Sequence, residues 1–96
     1  MEFTAKLYFH DILYKDELME YPGNEAVLIV RFSDSLPEDG HWTLIICLDT
    51  LTQKDNSIIA IVRFPSQENI PKNLLFSGSE FEMNYATRKV GVGKLI

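Results

Sequence analysis

The stretch Phe81-Glu82-Met83-Asn84-Tyr85-Ala86-Thr87-Arg88-Lys89-Val90-Gly91-Val92-Gly93-Lys94-Leu95-Ile96 decides the reading of this chain. Phe81, Met83 and Tyr85 alternate with Glu82 and Asn84, the period of two of a half-buried strand. Ala86-Thr87 lead into a second strand, Arg88 to Ile96, with glycines at 91 and 93. Glycine weakens a strand, so two in alternation mark tight curvature or close backbone approach. Val90 and Val92 are expected on the opposite face from the glycines. The second strand runs to the last residue, which predicts that it pairs with earlier strands and closes a sheet.

Working outward, the same alternation recurs. Phe3, Ala5, Leu7 and Phe9 alternate with polar residues and Tyr8 over Glu2 to His10. Ala26 to Phe32 is a β-branched run with Leu28, Val30 and Phe32 on one face. Trp42 to Leu48 is apolar on both faces, which predicts a strand covered on both sides. Ser57 to Phe64 is the fourth strand, ending at Pro65, which has no N–H for a ladder.

Between them lie turn-rich connectors. Ser33 to Gly40 carries Pro37 and Gly40, and Asp49 to Asn56 is polar. Ser66 to Asn73 is irregular or a single 3₁₀ turn, followed by the apolar anchor Leu74-Leu75-Phe76. Asp11 to Glu25 reads mainly as a long polar loop, with at most a helical turn through Ile12-Leu13-Tyr14 and Leu18-Met19 before Tyr21-Pro22-Gly23-Asn24. A loop of that length in a small domain is often functional. Six short strands with little helical period and turn chemistry between them predict an all-β fold, a barrel or a sandwich, as one domain over residues 1–96. A barrel also leaves no open apolar edge at the third and fourth strands.

The closing stretch resembles the end of the C-terminal β-barrel domain of translation elongation factor Tu. That family ends in a Phe-containing strand, a basic turn with Arg, and Val-Gly-X-Gly, matched here by Phe81, Arg88, Val90, Gly91 and Gly93. The opening strand, Glu2 to Tyr8, is similar to that domain's first strand. The middle matches only in strand number. The family's acidic-glycine turn is replaced by Asn84-Tyr85-Ala86-Thr87, and its His-Pro segment by Phe64-Pro65. The resemblance implies a stand-alone six-stranded antiparallel Greek-key-type β-barrel. It implies no GTP hydrolysis, because the GTPase domain has no counterpart here.

Composition narrows the function. The 96 residues carry 14 acids against 9 bases, a net charge of −5, which argues against nucleic acid as the principal ligand. No apolar run approaches the ~20 residues of a membrane-spanning helix, and Met1-Glu2-Phe3-Thr4-Ala5 lacks a secretory pattern, so a cytoplasmic protein is expected. The one cysteine, Cys47, excludes an internal disulfide and sits in the most apolar strand, where thiols are inert packing atoms. Gly91-Val92-Gly93-Lys94 is not a phosphate loop, because Arg88 and Leu95 stand where it needs Gly and Ser or Thr. His10-Asp11 and His41 with Glu38 and Asp39 lack a metal-ligand spacing. The serines fall in turns, and no carboxylate pair shows burial. No enzymatic activity, cofactor or metal is therefore expected.

Charge placement is the remaining signal. Eight of the fourteen acids lie between Asp11 and Asp39, and Arg88, Lys89 and Lys94 fall in the last nine positions. Tyr14 and Tyr21, with Leu13, Leu18 and Met19, add an aromatic and aliphatic patch to the acidic segment. The expectation is a non-enzymatic barrel acting by protein–protein contact through its acidic loops, Asp11 to Glu25 and Asp34 to Asp39, toward a partner with a basic surface. Its most specific form is an immunity or inhibitor protein against a basic toxin. Candidate contact residues are Asp16, Glu17, Glu20, Tyr21, Glu38, Asp39 and Trp42. The alternative is a translation-associated module docking on another protein or on RNA, which needs a basic stripe from Lys6, Arg88, Lys89 and Lys94.

Overall fold

A computed structural model describes residues 2–36 and 39–96. Six strands form a closed antiparallel barrel: β1 (Glu2–Phe9), β2 (Glu25–Phe32), β3 (Trp42–Lys54), β4 (Ser57–Arg63), β5 (Glu80–Tyr85) and β6 (Arg88–Leu95). The order around the barrel is β1-β4-β3-β2-β5-β6, with β6 returning to β1. Hairpins join β2 to β3, β3 to β4 and β5 to β6. The β1–β2 connection crosses one end of the barrel, which sets β1 beside β4 and gives the Greek-key arrangement. The β4–β5 connection, with a 3₁₀ turn at Lys72–Leu74, crosses the other end.

One alternating set of each strand fills the interior. Ala5 and Leu7, Leu28 and Val30, Leu44 and Ile46, Ile58, Ala60 and Val62, and Met83 are all buried. Closure gives each of the six strands a hydrogen-bonded neighbour on both sides. At the far end, away from the β1–β2 crossing, aromatics replace aliphatics. The Phe32 ring meets those of Trp42, Phe64 and Phe81 at centroid distances of 5.7, 5.9 and 5.7 Å. Phe64 and Leu74 of the β4–β5 crossing close that end, and the Glu68 carboxylate accepts the Thr43 N–H at 2.9 and 3.0 Å.

The two glycines of β6 are the tight points of this packing. A Cβ at Gly91 would run into the backbone carbonyl oxygen of Tyr8 on β1. A Cβ at Gly93 would lie 2.5 Å from the Phe81 ring and 3.0 Å from Leu7. Gly93 thus leaves the room in which Phe81 reaches Phe32. The valines do not share the opposite face, as alternation predicts. The β5–β6 register shifts between Met83↔Gly91 and Asn84↔Lys89, so Val90 is an extra residue and turns inward with Gly91, while Val92 is exposed.

Three further expectations are corrected. The segment Asp11 to Glu25 is not a loop throughout: Ile12–Glu20 is a nine-residue helix, α1. The third strand does not stop at Leu48 but continues to Lys54 through a register shift between Cys47 and Thr52. There the Thr50 hydroxyl accepts the Ile61 N–H at 2.8 Å and donates to the Cys47 carbonyl at 2.6 Å, bridging the break. Finally, β3 is not covered on both sides. Its outward residues Ile45 and Cys47 are half-buried. What shelters them is the Arg63–Glu25 ion pair, at 2.6 Å, whose two partners stand on β4 and β2 on either side of β3.

Gly91→Ala is expected to destabilise the fold by about 3 kcal/mol, and Gly93→Ala by about 1–3 kcal/mol, because backbone yields less than an aromatic ring. Urea unfolding of both variants measures this. An unchanged midpoint for Gly91→Ala would contradict the close approach of β6 to β1.

Candidate functional site

Helix α1 forms despite a poor helical pattern. Its apolar residues are Ile12, Leu13, Tyr14, Leu18 and Met19, but only Tyr14 and Leu18, four apart, are buried. Two docked side chains, worth about 1.5–3 kcal/mol each, hold nine residues because the start is also pinned. One Asp11 carboxylate oxygen caps the helix by accepting the Tyr14 N–H at 3.0 Å. The other meets Arg88 Nε of β6 at 2.8 Å. The His10 and Asp11 N–H groups donate to the Val90 carbonyl, so the bulge of β6 receives the chain entering α1. The helix ends at Tyr21, which adopts extended geometry before Pro22, as a residue preceding proline does.

So placed, α1 leans over the mouth of the barrel and leaves a cleft of about 340 Å³ against β2 and β5. Tyr14 and Leu18 form its floor, Ala26, Val27 and Tyr85 one wall, and Glu17, Tyr21 and Glu25 its rim. The Tyr14 ring lies 5.0 Å from that of Tyr85 and 5.7 Å from that of Phe9. Burial, reinforced by Tyr85 and then by the negative charge of Glu17, pushes the Tyr14 hydroxyl up to about 12. Tyr21 and Val27 are each 54% exposed and Tyr85 47%, so the walls are open to solvent. Glu25 is engaged by Arg63, whereas Glu17 makes no ion pair among the described residues.

The expected contact residues do not form one surface. Glu17 and Tyr21 line the cleft, and Asp16 and Glu20 are exposed on the neighbouring flank of α1. Asp39 and Trp42 belong to the far end. The two acidic segments leave β2 at opposite ends, roughly 20 Å apart along a tilted eight-residue strand. Asp39 is exposed, and its carboxylate accepts the Leu36 N–H at 2.8 Å within its own turn. Trp42 is only 8% exposed and packs edge-on against Phe32, so it is a core residue rather than an interface anchor. Glu38 lies outside the described residues. Sequence reasoning missed Tyr85, Glu25 and Val27 as partners of α1. The available signal was the outward face of β2, where Val27 and Ile29 put two apolar side chains on the barrel exterior.

Cys47 is not packed in the core: even-numbered residues of β3 point inward, so its thiol faces outward beside Asn24, Glu25 and Asp49. Burial first, and then the charge of Glu2, raise its pKa, which disfavours the thiolate. His10 stands at the helix end and His41 at the far end, and no three His, Cys, Asp or Glu side chains converge among the described residues. Among them, too, no helix is long and apolar enough to cross a membrane. Comparison with protein families, with curated proteins and with solved structures finds no match to this chain.

Two measurements check this geometry. Asp11→Ala removes both the cap and the Arg88 pair and is expected to cost about 1–2 kcal/mol in a thermal or urea melt. Asp11→Asn keeps the cap and should lose less. Tyr14 titrates higher in the folded than in the unfolded chain, so the unfolded state gives up its proton first as pH rises above 10. Stability is therefore expected to fall between pH 10 and about 12. Tyr14→Phe should flatten that fall, and identical slopes for the two proteins would refute the buried position of the hydroxyl.

Proposed function

We propose that this barrel is a non-enzymatic binding protein that acts by protein–protein contact toward a partner with a basic surface. In its most specific form it is an immunity or inhibitor protein that neutralises a basic toxin. The observation that carries the reading is the cleft of α1. Half-exposed Tyr21, Tyr85 and Val27 stand beside Glu17, with Asp16 and Glu20 on the adjoining flank. Exposed aromatic and aliphatic walls with an acidic rim suit a protein contact in which charge steers the encounter and apolar surface holds it. A passive role is supported by Tyr14 and Cys47, whose hydroxyl and thiol are both held toward the neutral form. The proposed contact surface is the helix end, since Asp34 and Asp39 stand beyond the opposite end of β2.

A translation-associated module is the second reading. It draws on the likeness of Glu80–Ile96 to the closing strands of the elongation factor barrel and on the six-stranded antiparallel architecture that the likeness implies. Its basic stripe is depleted, however. Arg88 is bound to Asp11, Lys89 lies 3.5 Å from Glu82, and the Lys6 ammonium rests 5.7 Å from the Tyr8 ring centroid.

Affinity capture from a lysate of the source cells, with identification of the captured proteins, tests the proposal. The wild-type chain should retain a basic protein that Glu17→Lys/Glu20→Lys releases and that Asp34→Lys, at the far end, does not. Capture insensitive to the α1 substitutions would overturn it. Capture of ribosomal or tRNA-bound components lost on changing Lys6 and Lys94 would favour the second reading.

A further inference from the structure

We infer that the α1 cleft is a receptor for a single arginine side chain presented by the partner, a proposal that rests on the protein-contact reading above. At about 340 Å³ the cleft lies near the small end of the roughly 300–1,000 Å³ of small-molecule sites and has room for one inserted side chain. Its lining has the order that an arginine requires. The floor of Leu18 and the Tyr14 ring is apolar and receives an aliphatic stem. Tyr21 and Tyr85 line the cleft and are each about half exposed, which leaves aromatic surface within it for a guanidinium, a planar and weakly hydrated cation. Glu17 supplies a carboxylate at the rim.

Charge complementarity selects this occupant over an apolar one. Two carboxylates, Glu17 and Glu25, border the cleft, and Arg63 engages only Glu25. Among the described residues no cationic side chain lines the cleft, so the negative charge of Glu17 meets no cation in that lining. That charge is felt inside the cleft, since it contributes to holding the Tyr14 proton. A neutral or acidic side chain would leave Glu17 unanswered, whereas a guanidinium would pair with it and stack on tyrosine at once.

Acetylated and amidated Gly-Gly-Arg-Gly-Gly, with the central residue replaced by lysine, citrulline or glutamate in control peptides, tests this by amide shifts of the isotope-labelled chain. The arginine peptide is expected to shift amides of Glu17, Tyr21, Val27 and Tyr85, with saturation in the millimolar range. Citrulline, which keeps the shape without the charge, should bind more weakly. Glu17→Gln and Tyr85→Ala should each weaken arginine binding by about two- to fivefold. An unchanged thermal melt for Glu17→Gln, whose side chain is exposed, and a Tyr85→Ala chain still folded at the temperature of the titration show that the losses are local. Equal shifts with citrulline, or shifts dispersed over the whole acidic surface, would overturn the inference. So would lysine binding as tightly as arginine, since that leaves only a point charge at work. Loss of arginine binding with retained capture of a basic protein would refute this cleft while leaving the broader reading standing. Arginine binding without any α1-dependent capture would do the reverse.

Discussion

The barrel depends on how closely β6 can lie against β1. Six strands enclose a narrow interior, and the last to join must pass within backbone contact of the first. At Gly91 no side chain fits, because the Tyr8 carbonyl occupies the place of a Cβ. At Gly93 the Phe81 ring takes the space, and through it Phe81 joins Phe32. The seam and the aromatic core at the far end are therefore one packing problem, solved by the absence of two side chains.

The same seam fixes the opposite end. The bulge at Val90 presents a carbonyl to the His10 and Asp11 N–H groups just where β1 gives way to α1. Two residues earlier in β6, Arg88 binds the Asp11 carboxylate that caps the helix. The helix is thus positioned by the strand that closes the barrel, and the cleft beneath it is a consequence of closure. A short helix with two docked side chains would not persist alone, since isolated helices of this length are marginal in water. Held from one end, it keeps Tyr21 and Glu17 at a fixed separation from Tyr85 and Val27, which a mobile loop of the same sequence would not do.

Electrostatics divides along the barrel in the same way. Arg63–Glu25 spans β3 from β4 to β2, Arg88–Asp11 joins β6 to the start of α1 and Lys89–Glu82 joins β6 to β5; all are partly exposed, so each contributes little to stability. Their greater effect is on what is left over. They engage Arg88, Lys89 and Arg63, while α1 keeps three acids, Asp16, Glu17 and Glu20, against one cation, Lys15, none of them in those pairs. Tyr14, pressed between Phe9 and Tyr85, is the group that registers the charge of Glu17.

Strand positions were legible in the sequence because a barrel interior imposes period two on every strand, and Ala5-Leu7, Leu28-Val30-Phe32 and Phe81-Met83 obey it. The glycines of β6 were legible as points of close approach because strands rarely tolerate them otherwise. Three features were not. The helix has too few inward residues to print a period of 3.6, and its stability comes from Asp11, Arg88 and the barrel mouth. The inward turn of Val90 and the extension of β3 to Lys54 arise from register shifts, which depend on partner strands and leave no local pattern. The cleft joins residues from α1, β2 and β5, and the acidic segments that looked contiguous in composition lie at opposite ends of β2. The alternation carried the six strands and the all-β class, because burial acts residue by residue along each strand. Closure into a barrel, and with it which acids and aromatics meet, was written in no single strand, because it is set by the order in which six strands close on one another.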